Sequence, residues 1–162
     1  MKGTFIYIVF FFIPGIFIQA LSPGQRFETS AYYQVLENGS IDAVESQLLL
    51  IESSLNINKE AYGGALLMKK AGLIKGASKK LTVFKEGNRK LEAAIKKDKG
   101  NAEWYFLRLI IQEHAPKILK YHADIKKDAD IVHKAFNNFS PELQSAVIQY
   151  RKNSGSLQVY NL

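Results

Sequence analysis

Cysteine is absent from the 162-residue chain. That absence excludes disulfides, thiolate metal sites and a lipid-modified N-terminal Cys, so packing alone must hold the fold together. Also missing are a G-x-S-x-G turn, a Gly-rich phosphate loop, and any nucleophile with a legible base beside it. Histidine is sparse: His114, His122 and His133. Asp130 and His133 stand three apart, but a carboxylate-bridged metal bundle needs a second acid-x-x-His pair, and the sequence has none. Asp124 and Asp128, one turn apart, have Lys120, Lys126 and Lys127 close enough to neutralise them, which fits a solvated charged helix. Neither an enzyme nor a bound cofactor or metal is expected. No low-complexity tract argues for disorder, and 47% apolar residues can supply one buried core.

The N-terminus reads as a targeting segment. Lys2 provides a single positive charge, and Thr4 to Ile18 is apolar and uncharged. Pro14-Gly15 breaks it shortly before Gln19-Ala20, so residues 1–20 match a signal peptide cut between Ala20 and Leu21. Ile18 is large for the third position before such a cut, which leaves an uncleaved membrane anchor as the alternative. The expected destination is the periplasm or the cell exterior.

Charge is unevenly spread. Residues 21–58 hold one Arg against five acids, whereas residues 59–99 hold twelve Lys or Arg against four acids. Such a basic block suggests nucleic acid or an anionic surface, and export argues against nucleic acid.

Helical periodicity runs through the rest of the chain. The spacing predicts helices over about 27–37, 41–53, 59–74, 79–98 and 102–113, with no sheet. The 41–53 helix has a broad apolar face, so it is expected to be covered on more than one side. Ser40, Asn58, Ser78, Asn101 and Ser140 are candidate caps, and Asn38-Gly39, Gly76 and Gly100 are candidate stops. A sixth helix is predicted to begin at Pro116 and run to Phe136 on one stripe that includes His122. Ser140-Pro141-Glu142 starts a seventh. The last ten residues, 153–162, lack helical period and are expected to fray.

Small residues organise the middle of the chain. Ala61, Gly63, Gly64 and Ala65 on one helix, with Gly87 and Ala94 on the next, predict close approach of two antiparallel backbones. A mid-helix glycine costs about 1 kcal/mol relative to alanine, and such an approach would offset it. Gly87, Leu91, Ala94 and Asp98 resemble the second helix of a tetratricopeptide repeat, although Lys99 stands where that family has proline. The run from Asn101 to Asp128 resembles a segment of small exported bacterial proteins of unassigned function. The first resemblance implies an all-α domain over residues 21–152 of about seven helices in stacked antiparallel hairpins, a solenoid-like bundle. The second implies no activity.

The function expected from these features is a non-enzymatic interaction or scaffolding module of the cell envelope with a protein partner. The alternative is electrostatic binding to an anionic envelope surface through residues 59–99. Candidate partner- or anion-binding residues are Lys79, Arg89, Lys90, Lys97 and Arg108. For Arg108 the plainer reading is a snorkelling side chain with a local Glu partner. Tyr62 and Trp104 are candidate aromatic anchors, and core plugs explain them equally well.

Overall fold

The computed structural model describes residues 27–55 and 57–162. The predicted targeting segment, with the expected cut between Ala20 and Leu21, therefore lies outside the described residues. Within them the chain folds into seven α-helices without a strand. These are α1 (Thr29–Asn38), α2 (Ile41–Ser53), α3 (Lys59–Leu73), α4 (Ala77–Lys97), α5 (Ala102–His114), α6 (Ile125–Ala135) and α7 (Pro141–Arg151). The all-helical class and the helix number match the expectation from periodicity. No described helix is long and apolar enough to cross a membrane.

Several helix starts follow from one side chain each. Ser40, Asn58, Asn101 and Ser140 accept a backbone N–H of the first turn at 3.3, 2.9, 3.1 and 3.3 Å. Each satisfies a donor that the helix leaves unpaired. Ser78 does not cap α4. Gly76 does so instead, at φ +89°, a conformation that glycine adopts without cost. Gly39 is extended at φ −63°, so it ends α1 without the left-handed turn expected of it.

The α3–α4 hairpin is built on two glycines. A methyl carbon placed on Gly64 would lie 2.7 Å from the Leu91 nitrogen and 2.8 Å from the Gly87 oxygen. One placed on Gly87 would lie 2.5 Å from the Gly64 oxygen. Backbone meets backbone here, as the small residues predict. Gly63 does not share this role, since its nearest neighbour, Ile51 Cγ2, would be 4.0 Å away.

The centre of the core is α5. Ala102 and every residue from Trp104 to Gln112 are buried. Such a helix is apolar on nearly all sides and needs neighbours all round it. Tyr33 of α1, Tyr62 of α3 and Tyr150 of α7 supply them. Tyr33 and Tyr150 pack on Phe106, and Tyr62 packs edge-on against Trp104 at 5.4 Å between ring centroids. Fully burying one such side chain contributes roughly 1.5–3 kcal/mol. Contacts of Tyr32 with Tyr62 and of Lys69 with Glu37 show α1 and α3 running side by side in one direction. On α2, Val44, Gln47 and Ile51 are buried while Leu49 is exposed, so its broad apolar face is covered on one side only.

Two segments differ from expectation. The predicted sixth helix is broken: Lys117–Leu119 is a single 3-10 turn, Lys120 is left-handed at φ 51°, and α6 begins at Ile125. The cause is tertiary. Tyr121 leaves the helical path to pack edge-on against Phe84 and to donate its hydroxyl to Glu92 at 2.9 Å. His122 leaves the supposed stripe too, and its Nε2 meets the Ala115 carbonyl at 2.9 Å.

The C-terminal decapeptide, expected to fray, is packed. Leu157 and Ser154 are buried. Glu113 at the end of α5 accepts the Tyr150 hydroxyl at 2.6 Å, the Ser154 hydroxyl at 3.0 Å and the Ser156 N–H at 2.8 Å. A carboxylate collecting three donors replaces the regular structure that this segment lacks.

Candidate functional site

The candidate residues do not converge on one site. Arg108 is buried and internally neutralised. Its Nε and one terminal nitrogen donate to the two oxygens of Asp128, both at 2.7 Å, and the other terminal nitrogen donates to Glu92 at 3.0 Å. Asp124 lies 3.7 Å away. Asp128 is 0% exposed and also accepts from Gln112 at 3.1 Å. Burial raises the Asp128 pKa, and the Arg108 charge and hydrogen bonds oppose that rise. Arg108 therefore faces no external anion, and its partners are not the adjacent glutamates. The expected solvated pair is divided: Asp124 is part-exposed and lies 3.9 Å from Lys127, as a charged helix face predicts, whereas Asp128 is buried against Arg108.

Tyr62 and Trp104 are core residues. The Tyr62 and Tyr33 hydroxyls both donate to one oxygen of Glu103, each at 2.8 Å. Burial raises the Glu103 pKa, and those two hydrogen bonds only partly offset it. A raised folded-state value means that the stability this group contributes is complete below the ordinary 4.5 and is lost as pH rises through the folded value. Glu103→Gln keeps an oxygen for both hydroxyls and removes the charge. Thermal melts of that variant are therefore expected to show undiminished stability at pH 7 and a smaller decline between pH 4 and pH 7 than the parent.

Lys79, Arg89 and Lys97 are exposed on α4, and Lys90 is half-buried. Among the described residues, Lys90 alone of these four makes an ion pair, at 3.9 Å to Glu86. Asp130 and His133 are occupied by the C-terminal segment: Tyr160 donates its hydroxyl to Asp130 and stacks its ring on His133 at 4.6 Å.

One concavity among the described residues was not legible in the sequence. A cleft of about 460 Å3 opens where the C-terminal ends of α1, α3 and α5 meet the N-terminal half of α4 and the turn after Pro116. Its floor is apolar, formed by Leu36, Met68, Ala71, Phe84, Ile110 and Ile111. Leu73, Leu81 and Ile118 surround the mouth with exposed apolar groups, Ile118 being 86% exposed. Four titratable side chains reach it: Glu37, Lys69, Lys80 and His114. Lys69 donates to the Glu37 carbonyl at 2.5 Å. Burial lowers the Lys69 pKa, with the Glu37 charge acting against it, and burial raises that of Glu37, with His114 and Lys69 acting against it. The exposure of Ile118 and the break before α6 belong together, because the short turn directs an apolar side chain outward at the cleft edge.

Volume and lining fall in the range of small-molecule sites, about 300–1,000 Å3 with few polar groups. The arrangement can bind an apolar group beside a cation. Comparison with family models, curated proteins and solved structures finds no match to this chain.

Proposed function

We propose that the chain is an exported, non-enzymatic binding module of the cell envelope, built from stacked helical hairpins in the manner of tetratricopeptide-like proteins. It holds an apolar group of its partner in the cleft between α1, α3, α4 and α5. The observation that carries this reading is the apolar floor of that cleft with exposed Leu73, Leu81 and Ile118 at its mouth. Exposed apolar groups clustered on a concave surface mark interaction sites more often than scattered ones do.

A second reading is supported by the lysines of α4. Lys79, Arg89 and Lys97 are exposed and make no ion pair among the described residues, which suits an anionic envelope surface. Binding of that kind weakens with salt, because exposed charges more than about 10 Å apart are screened at 0.1 M.

Photo-crosslinking in intact cells separates the two readings. A photoreactive residue at Leu81 or Ile118 is expected to give a discrete adduct, and one at Arg89 or Lys97 is expected to give none. Adducts from Arg89 or Lys97 alone, abolished by high salt, would transfer the function to the basic face.

A further inference from the structure

We propose that the occupant of the cleft is a single-chain carboxylate amphiphile, such as a free fatty acid, with its chain on the Met68–Phe84–Ile110 floor and its head on Lys69 and Lys80. The inference rests on the reading of the cleft as a binding site and adds the chemical class of the occupant.

Three features of the cleft select this chemistry. First, the floor offers almost no hydrogen-bonding groups. A peptide laid into it would bury its own N–H and C=O groups without partners, which is costly, whereas an acyl chain has none to satisfy. Each methylene removed from water favours binding, so a chain filling much of a 460 Å3 space gains several such increments.

Second, the charges at the rim are unequal. Lys69 and Lys80 face the cleft with Glu37 as the one carboxylate, and His114 beside it. Lys69 spends one donor on the Glu37 carbonyl, which leaves two of its three N–H bonds for a head group. Lys80 is exposed and, among the described residues, approaches only the Gly72 carbonyl, at 3.4 Å. An anionic head restores the balance, and a cationic head would meet two lysines. Burial disfavours the charged form of Lys69, a cost that a bound carboxylate repays.

Third, the mouth is lined by Leu73, Leu81 and Ile118, so a chain entering from an aqueous or membrane phase stays in apolar contact on its way in. Gly72 lies on the same rim, and a methyl carbon placed on it would meet no heavy atom within 4 Å. That spot is open space.

The test is displacement of a dansyl-labelled undecanoic acid from the purified full chain by dodecanoate, 1-dodecanol and dodecyltrimethylammonium. Dodecanoate is expected to compete with a dissociation constant on the order of micromolar, at least about tenfold more tightly than the other two. Lys69→Met is expected to weaken dodecanoate about tenfold and to leave dodecanol unchanged. Gly72→Leu, which fills the open rim, is expected to abolish binding of all three. Should Gly72→Leu fail to fold, Ile118→Glu replaces it with a different expectation. That side chain is 86% exposed, and a carboxylate there is expected to weaken dodecanoate relative to dodecanol, because it repels the anionic head alone. Equal competition by dodecanol or by the cationic amphiphile overturns the proposal, as does unchanged binding in the rim variants. Failure of every amphiphile, combined with crosslinks from Leu81 or Ile118 to a protein, would overturn the amphiphile and keep the cleft. Failure of both experiments would remove the cleft as a site.

Discussion

Gly64→Ala and Gly87→Ala are each expected to cost about 3 kcal/mol and to lower the melting temperature by roughly 10 °C. The methyl group in either variant meets main-chain atoms at 2.5–2.8 Å, and main chain cannot swing aside as a side chain can. Only separation of α3 from α4 relieves the collision, and that loosens the packing of Leu91, Met68 and Leu66 together. Helix propensity works in the opposite direction by up to about 1 kcal/mol, too little to compensate. Gly63→Ala and Gly72→Ala serve as internal controls. Neither methyl group meets anything closer than 4.0 Å, so both are expected to stabilise by about 0.5–1 kcal/mol. Chemical denaturation of the four single variants checks this. Similar gains at all four positions would show that helix backbone entropy, and not close contact, governs these sites.

Asp128→Ala is expected to destabilise the protein by about 3–5 kcal/mol, a large part of the 5–15 kcal/mol that holds a typical domain together. It strips both 2.7 Å hydrogen bonds from a guanidinium that remains buried, leaving Glu92 and the more distant Asp124 as its partners. The double variant Arg108→Met/Asp128→Leu removes the uncompensated charge as well. It is expected to recover most of the loss, because well-packed apolar side chains commonly match a buried ion pair in stability. Denaturant midpoints of the parent, Arg108→Met, Asp128→Leu and the double complete the cycle. A double variant as unstable as Asp128→Ala would show that Glu92 and Gln112 require the pair for their own placement.

The elements legible in the sequence are those specified within a few residues. Ser40, Asn58, Asn101 and Ser140 each cap the helix that directly follows, and their donors lie two or three positions on. The Gly64–Gly87 contact was also legible, because two helices joined by a short turn leave few ways to place small residues. Partners far apart in sequence were not. Arg108 finds Asp128 across twenty positions, and only the break at 116–124 makes that approach possible. The break itself depends on Tyr121 reaching Glu92 and Phe84, which periodicity cannot register. The central place of α5 follows from the run Trp104 to Ile111, apolar but for Arg108, which calls for neighbours on all sides. The cleft needed four helix ends and one turn to be placed at once.

The order in which the chain emerges during synthesis bears on the clasp at Glu113. Tyr150, Ser154, Ser156 and Tyr160 all close onto side chains of α5 and α6 that were made tens of residues earlier. Until residue 160 has cleared the ribosome, those acids wait in water and the far side of α5 stays uncovered. Packing around the end of α5 is thus completed by residues that follow it by tens of positions, and it lags behind the synthesis of α5 itself.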